Sequence, residues 1–551
     1  MALTLNSVPG AGFAHGAILD ERSLCAMAWA LVRDGRLAEV SGAEARLVDV
    51  SAQPPSPEVL GAVAAAIRAG EDPLGAAFAS LRSAPQRRKM GATYTPPSLV
   101  GPMSEWLANY KVASRVVDPG AGSARFLCAA GRYLPEAQLV AVEIDPLAAL
   151  TARASLTVLG FDERSQVETT DYRSLDLPSV PGPTAFIGNP PYVRHHDIAP
   201  EWKTWLRERS GELGLKASAL AGLHVHFLLA TAHLARAGDY GVFVTSSEWL
   251  DVGYGQLARE LIAGALGGLS IHILDARTQA FADATTTATV TAFEVGTTER
   301  PVRVSKIKGT EDLRGLRGGT PFGRDELREV RRWSSLLEPR VSVPNEFVPL
   351  GEFCRVHRGA VTGANATWVT KQGDPCLPTT VLFPAVTKAS ELFGLESAVL
   401  EDGRDLRAVI DLPEDLDVLD ESDRALVERF LKAARRAGAA NGYIARHRKP
   451  WWSVRLRESA PILATYMARR PPTFVRNLAA AGNLNTVHGI YPVEPMSEAA
   501  LSALTMVLRE RATLTGGRTY AGGLTKFEPS EMEQIKVPPP SWLEMGEPWR
   551  S

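Results

Sequence analysis

The chain has 551 residues, with 60 basic against 62 acidic side chains, and 45% of its residues are hydrophobic. This length exceeds one ordinary core and predicts two to four domains, while the near-neutral charge does not by itself indicate a nucleic-acid binder. Four scattered cysteines lack the paired spacing of a zinc site or a disulfide framework, and they fit a reduced, cytoplasmic setting. No signal peptide or membrane span is expected, because residues 1–20 lack a basic start with an apolar block and the apolar stretch 217–235 contains three histidines.

The first 90 residues are Ala-rich with helical periodicity and predict an N-terminal helical region. Helices are expected over 23–33 and 57–68, separated by a proline-rich break. The basic run 86–89 that closes the region fits a solvated helix end at least as well as a phosphate contact. Next comes Thr95, before two prolines and a helix expected over 98–110, where its hydroxyl either caps the helix or serves a ligand.

From residue 114 the pattern changes to alternating strands and helices, which predicts a doubly wound, Rossmann-like α/β domain. Strands are expected over 115–117, 139–144, 167–169 and 184–187. Each one ends in a polar or Gly-rich corner, and the carboxyl ends of such strands line one crevice in which ligands bind. The residues at these corners are Asp118, Gly120, Gly122, Glu143, Asp145, Asp171 and Asn189.

The acidic corners predict a nucleoside site when they are taken in order. The glycine turn after Asp118 is a weak signal alone, because it lacks the full spacing of a dinucleotide fingerprint. Glu143 ends the second strand, where an acid accepts hydrogen bonds from ribose hydroxyls, and Asp171 is placed to accept from an adenine amino group. Either acid by itself also fits a helix cap or a solvated turn residue.

The fourth strand runs into the tetrapeptide Asn189-Pro190-Pro191-Tyr192. The two prolines cannot continue a ladder or a helix, so they fix a stiff, extended turn. Such a turn can hold the amide oxygen of Asn189 and a neighbouring backbone carbonyl as paired acceptors, with the Tyr192 ring beside them for a planar substrate. A proline-rich strand exit without function is the alternative interpretation of the four residues alone.

The α/β pattern continues with a helix over 223–235 and strands over 240–245, 271–274 and 288–293. Phe281 lies in the loop before the last strand, where its ring either plugs the core or faces a substrate. Residues 297–345 are charged, Gly-rich and weakly periodic, so the sequence predicts a domain over 91–300 and a linker over 301–345.

The remaining segment, 346–551, is predicted to form a second, separate domain of mixed α+β type. Its charged residues are segregated along the chain. Residues 429–476 contain twelve basic side chains and one acidic side chain, and Tyr443, Trp451, Trp452, Tyr466 and Phe474 are interleaved with them. Basic and aromatic side chains together suit phosphate contacts and packing against bases, so this region predicts a nucleic-acid surface. A merely solvated face is the alternative.

These motifs, in content and in order, resemble the gamma-group DNA adenine-N6 methyltransferases of restriction-modification systems, which have a TaqI-like catalytic domain. The resembling segments are Tyr94–Pro97, Asp118–Phe126, Glu143–Asp145, Asp171, Asn189–Tyr192 and Phe281. Looser similarity to the family's target-recognition regions lies in Arg358–Asn365, Asn483–His488 and Tyr520–Leu524. Ala121 and Ala124 depart from the family pattern, in which Cys and Gly are common, but small residues replace small residues and cofactor binding is expected to survive.

The resemblance implies S-adenosylmethionine as cofactor, no metal, and methyl transfer to the N6 amine of an adenine flipped out of duplex DNA. The implied catalytic residues are Asn189, Pro190, Tyr192 and Phe281. The implied cofactor-binding residues are Thr95, Asp118, Gly120, Gly122, Glu143, Ile144 and Asp171. Residues 346–551 would form a DNA target-recognition domain, and a separate restriction endonuclease or defence-system protein is a candidate partner. A methyltransferase acting on RNA or on a protein glutamine amide, or a non-catalytic DNA-binding relative, stays the alternative.

Overall fold

A computed structural model of the chain describes residues 18–83, 86, 91, 94–275, 287–337, 343–395, 397–519 and 524–546. The chain divides into two compact units, Met1–Glu338 and Pro339–Ser551. In the part of the chain so described, no helix combines the length and the apolar character needed to cross a membrane.

A single large sheet forms the centre of the first unit. Its strands are β1 Arg115–Pro119, β2 Gln138–Val142, β3 Ser165–Glu168, β4 Thr184–Gly188, β5 Tyr240–Ser246, β6 Gly268–Leu274, β7 Ala288–Glu294, β8 Val302–Ile307 and β9 Thr320–Phe322. Among the described residues they are ordered β3-β2-β1-β4-β5-β7-β6-β8-β9. Strands β1 to β5 pair in parallel, whereas β7 is antiparallel to both of its neighbours. The strand order reverses between β1 and β4, so a ligand crevice is expected beyond the carboxyl ends of these two strands.

Helices cover both faces of this sheet. They are α1 Glu21–Val32, α2 Gly42–Asp49, α3 Pro57–Arg68, α4 Pro73–Leu81, α5 Pro97–Tyr110, α6 Arg125–Tyr133, α7 Pro146–Val158, α8 Pro200–Glu212, α9 Leu223–Leu234, α10 Gln256–Ala263 and α11 Arg324–Glu329. Several begin with proline, whose fixed φ suits the first helical position and whose missing N–H has no partner there anyway. Val116 and Val117, which are neighbours in β1, belong to opposite cores, as the alternation of side chains along a strand requires.

The N-terminal helices pack on the α/β domain and share a core with it. Leu24 and Met27 of α1 are fully buried in the same cluster as Leu147 and Leu150 of α7. Residues 18–83 therefore belong to the first compact unit. The sequence instead predicts a separate helical region that ends at residue 90.

The predicted linker over 301–345 differs from the structure, because two of its segments, β8 and β9, continue the sheet. Strand β8 pairs in parallel with β6, and β9 pairs antiparallel with β8. Val302 and Val304 of β8 are buried and point to one face, but this alternation is short and stands within a charged, Gly-rich stretch. The compact unit consequently ends near residue 338 instead of 300.

The second unit is α+β, as the sequence predicts. Its strands are β10 Val348–Pro349, β11 Cys354–Arg358, β12 Val369–Thr370, β13 Leu382–Val386, β14 Val399–Leu400, β15 Arg407–Ile410, β16 Ile462–Thr465, β17 Met467–Ala468, β18 Phe474–Asn477, β19 Gly482–Asn483, β20 Val487–Pro492, β21 Arg518–Thr519, β22 Thr525–Lys526 and β23 Lys536–Val537. Its helices are α12 Asn365–Trp368, α13 Ser390–Phe393, α14 Glu421–Arg436, α15 Tyr443–Arg446, α16 Glu498–Arg511, α17 Pro529–Met532 and α18 Pro540–Met545. The larger sheets are ordered β11-β20-β16-β18-β14 and β12-β15-β13-β19.

Candidate active site

The Asn-Pro-Pro-Tyr turn follows directly on β4, at the point where the strand order reverses. The side-chain amide of Asn189 is half-buried and donates from Nδ2 to Oγ1 of Thr95 at 3.0 Å. Its Oδ1 atom is buried and has no hydrogen-bond partner among the described residues. Thr95 therefore occupies the donor end of the amide, and the acceptor end is left without a partner in the described part of the chain.

The turn itself is attached to the segment that contains Thr95. The Tyr192 N–H donates to the carbonyl of Gly91 at 3.2 Å. A Cβ on Gly91 would lie 2.7 Å from that same nitrogen, and the φ of Gly91 is +68°, so the close approach requires glycine. Thr95, which the sequence predicts among the cofactor-binding residues, is hydrogen-bonded to Asn189 in the structure.

The glycine loop after β1 folds across the end of β2. The N–H groups of Gly120 and Ala121 donate to the carbonyl of Val142 at 2.8 and 3.0 Å. The carboxylate of Glu143 accepts from the N–H of Gly122 at 2.8 Å and from the N–H of Asp145 at 2.9 Å. Burial raises the pKa of Glu143, and these backbone hydrogen bonds oppose the increase. The loop and the acid predicted to bind ribose are therefore one hydrogen-bonded assembly.

Asp118 presents an unusual buried carboxylate. It is 1% exposed, and neither of its oxygens has a hydrogen-bond partner within the described residues. Burial raises its pKa well above the ordinary value, and the nearby charge of Glu143 adds to the increase. A Cβ on Gly188 would lie 2.5 Å from Oδ1 of Asp118, so the glycine at the end of β4 makes room for this carboxylate. An unpaired buried carboxylate favours a cationic or N–H-donating ligand.

The backbone of Ala124 is strained, which the small size of its side chain does not indicate. It has φ of 63° and ψ of 29°, in the left-handed region, immediately before α6. Glycine adopts this conformation freely, whereas a Cβ makes it unfavourable by about 1 kcal/mol. The glycine common at this position in the resembling family is thus explained by backbone conformation, which size alone does not capture.

The chain is similar to known proteins over most of its length. The type II methyltransferase M.XamI of Xanthomonas campestris pv. amaranthicola is 49% identical over 450 residues, which span 82% of this chain and 85% of that protein. The chain belongs to the type II restriction-modification methyltransferases. The type II methyltransferase M.AccI of Acinetobacter calcoaceticus is 22% identical to this methyltransferase over 482 residues, 81% of this chain and 85% of that protein.

Two family models match separate parts of the methyltransferase. The Eco57I restriction-modification methylase matches residues 184–274, and the C-terminal domain of the type II methyltransferase M.Eco57I matches residues 336–547. The DrdV–DNA complex is similar in structure, with a TM-score of 0.50 and 14% identity over 88% of this chain and 59% of that one, and it shows the fold alone. The predicted class I methyltransferase fold is confirmed, and the chain is a DNA methyltransferase.

Asp171, expected to accept from an adenine amino group, has an internal partner in the methyltransferase. Its carboxylate accepts from the guanidinium of Arg173 at 2.6 and 2.9 Å and also caps the short 3-10 turn Tyr172–Ser174. The Arg173 guanidinium lies 3.7 Å from the centre of the Trp202 ring. Sequence reasoning missed Arg173. Each carboxylate oxygen can accept more than one hydrogen bond, so Asp171 keeps acceptor capacity beside this ion pair.

Two further residues flank the site. Ile144, next to Glu143, is an exposed apolar side chain, with 64% of its surface accessible. The Tyr192 ring is half-buried and meets the His224 ring edge-on, with 6.4 Å between centroids. Burial raises the pKa of Tyr192 and lowers the pKa of His224 to about 4, so both rings are neutral at pH 7. Phe281 lies outside the described residues.

In the second unit, the structure divides the basic segment 429–476 into structural and exposed members. Arg476 is buried and pairs with Glu498 at 2.5 Å, and Arg455 pairs with Glu414 at 2.6 Å. The rings of Trp451 and Trp452 pack against a hydrophobic core. The exposed members include three basic residues along α14 and an aromatic pair close after it: Arg429, Lys432, Arg436, Tyr443 and His447.

Proposed function

We propose that the chain transfers the methyl group of S-adenosylmethionine to the N6 amine of an adenine that has been flipped out of duplex DNA. The observation that carries this proposal is the Asn189 amide, whose nitrogen is held by Thr95 while its buried oxygen has no partner among the described residues. A fixed, unpaired carbonyl oxygen beside Pro190 suits a substrate that has two N–H donors on one nitrogen.

The chemistry requires such an acceptor, because the lone pair of an exocyclic adenine amine is delocalised into the ring. Asn189 Oδ1 and the backbone carbonyl of Pro190 would accept the two amino hydrogens, which favours a more tetrahedral nitrogen and a localised lone pair. Preorganised acceptors of this kind do not have to reorganise when charge develops in the transition state. No covalent enzyme intermediate is needed, and the excess proton of the methylated amine leaves to solvent.

S-adenosylmethionine, when bound, supplies an electrophilic methyl group on a sulfonium, and the residues of the crevice fit such a cationic ligand. Asp118 offers a buried carboxylate that lacks a partner in the described structure. Glu143 lies at the end of β2 beside the glycine loop, and the exposed Ile144 offers an apolar surface for a purine. Gly120 and Gly122 have positive φ, which glycine adopts freely. Because both residues are glycines, the loop has no side chains at these positions, where the ligand would approach. Thr95 and Asp171 complete the proposed set.

A duplex encloses the adenine amine within the base stack, so the base must leave it at a cost of roughly a few kcal/mol. Stacking on aromatic rings returns about 1–3 kcal/mol per base. The half-buried Tyr192 ring, adjoining Pro191, would take this role, and Phe281 is proposed for the same role on its sequence position.

Double-stranded DNA is the proposed partner of the second unit, with the exposed basic side chains of α14 as phosphate contacts. The basic segment 429–476 within this unit favours a nucleic acid over a protein glutamine amide as the substrate, and the similarity to a type II methyltransferase favours DNA over RNA. The cell compartment is proposed to be the cytoplasm, and a separate restriction endonuclease or defence-system protein is a proposed partner. A non-catalytic DNA-binding role would not require the amide geometry of Asn189.

The test is incorporation of labelled methyl groups into unmethylated phage DNA, with the product base identified by mass spectrometry and the site mapped by methylation-sensitive sequencing. The wild type is expected to form N6-methyladenine. Asn189→Ala is expected to abolish methyl transfer while calorimetry shows unchanged binding of S-adenosylmethionine. Methyl transfer retained by Asn189→Ala, or a product other than N6-methyladenine, would contradict the proposal.

A further inference from the structure

Arg125, the first residue of α6, makes contacts that the motif alone does not assign. Its guanidinium donates to Oδ2 of Asp72 at 2.7 and 3.1 Å and to the backbone carbonyl of Thr95 at 2.5 Å. It also lies 3.4 Å from the centre of the Tyr94 ring. The side chains of Arg125 and Asp72 are 13% and 11% exposed, so the pair is largely shielded from solvent.

Asp72 is itself fixed from two sides. Oδ1 accepts from the N–H of Gly75 and so caps α4, while Oδ2 accepts from Arg125 and from the hydroxyl of Ser123 at 2.5 Å. A Cβ on Gly75 would lie 2.2 Å from Oδ2 and 2.4 Å from the Ser123 hydroxyl oxygen, so only glycine accommodates this arrangement. The N-terminal helices thereby deliver a carboxylate to the edge of the glycine loop.

The contacts form a continuous path to Asn189. Asp72 orients Arg125, Arg125 holds the carbonyl of Thr95, and the hydroxyl of Thr95 accepts from Asn189 Nδ2. Holding the Thr95 peptide limits the positions that its Oγ1 atom can take, and through the hydrogen bond to Nδ2 it limits the orientation of the Asn189 amide. A small change in the orientation of this amide is expected to lower the rate of methyl transfer, because catalysis depends on placement of the reacting groups.

We propose that Asp72 and Arg125 are positioning residues for methyl transfer, and that the N-terminal helical region is therefore a functional part of the active site. This inference rests on the proposed role of Asn189. Neither residue touches the reacting atoms, and both act through Thr95.

Simple docking of the N-terminal helices is the competing explanation, and α6 provides a matched control for it. Arg132, two turns after Arg125, donates to the carbonyls of Ile67 and Arg68 at 3.1 and 2.8 Å. Arg132 thus anchors the same helical region to the same helix without contacting Thr95. Arg132→Ala weakens docking and leaves the path to Asn189 intact.

The experiment compares full-chain Asp72→Ala, Thr95→Val, the double variant and Arg132→Ala. Single-turnover methyl transfer is measured on a duplex containing the mapped site, and the dissociation constant of S-adenosylmethionine is measured by calorimetry. Asp72→Ala is expected to slow single-turnover transfer about two- to tenfold, with cofactor affinity changed less than about twofold. In the Thr95→Val background Asp72→Ala is expected to have no further effect, because its path to Asn189 is already broken. Arg132→Ala is expected to keep the wild-type rate.

Multiplicative effects in the double variant, or an equal rate loss in Arg132→Ala, would overturn the positioning role and leave the proposed function standing. A wild type that forms no N6-methyladenine would refute the proposed function instead. If Asp72→Ala does not fold, Arg125→Lys replaces it. Lysine keeps the charge opposite Asp72 but lacks the fork that reaches both Asp72 and the Thr95 carbonyl, so the same loss and the same non-additivity with Thr95→Val are expected.

Discussion

Replacing Thr95 by valine tests the orientation of the Asn189 amide, which is proposed to be catalytic. Valine keeps the shape of the buried side chain, which is 6% exposed, and removes only the oxygen that accepts from Asn189 Nδ2 at 3.0 Å. A hydrogen bond of this kind contributes about 0.5–1.5 kcal/mol net, and each 1.36 kcal/mol of barrier corresponds to about a tenfold change in rate. Thr95→Val is therefore expected to slow methyl transfer roughly two- to thirteenfold, because Asn189 then rotates among orientations of which only some present Oδ1 to the amine.

The assay is single-turnover transfer of a labelled methyl group to the mapped duplex, which isolates the chemical step from product release. Thr95→Ser is the matched control: it keeps the hydroxyl, and its rate is expected to stay close to that of the wild type. A wild-type rate in Thr95→Val would refute the reasoning, as would an equal loss in Thr95→Ser, since the effect would then belong to packing.

Three further predictions follow from the glycine loop and the Tyr192 ring. Asp118→Asn should raise the melting temperature at pH 7 and should abolish the increase in melting temperature that S-adenosylhomocysteine causes in the wild type. Burial raises the pKa of Asp118 in the folded state, so the wild type loses stability as pH rises above the ordinary pKa value of 3.8. The higher melting temperature of the variant should therefore disappear near pH 4 in a thermal scan. Ala124→Gly should be more stable to urea than the control Ala121→Gly by about 1 kcal/mol, because only Ala124 has positive φ, and equal stabilities would contradict this. Tyr192→Ala should reduce quenching of a fluorescent adenine analogue at the target position, whereas Tyr192→Phe should retain it, and unchanged fluorescence in Tyr192→Ala would show that the ring does not stack on the base.

Much of the first unit was predictable because its signals are local. Strands β1, β2 and β4 coincide closely with the expected runs, and α3 begins and ends at the expected residues. Strand β8 was not predicted, because two buried valines in a charged stretch give too short an alternation of apolar and polar residues. Its pairing with β6 is a long-range event that local composition does not reveal.

The sequence predicted where the candidate-site residues lie in the sheet but did not predict their hydrogen-bond partners. Asn189, Asp118 and Glu143 do lie at the carboxyl ends of neighbouring strands or directly after them. Asp171 and Arg173 are two residues apart, so the sequence shows that they could form an ion pair. Charge spacing in a loop does not determine whether the two side chains meet, and only the structure shows that they do.

The sequence by itself determined the order of strands, helices and polar turns, because hydrophobic periodicity and the backbone limits of glycine and proline act over a few residues. Only the tertiary structure decided which polar groups meet. Thr95 and Asn189 are 94 residues apart, and Asp72 and Arg125 are 53 apart. Such pairs form when packing of the whole unit fixes both backbones and brings the two polar groups within hydrogen-bonding distance. The direction of the Asn189 amide is a property of that packing.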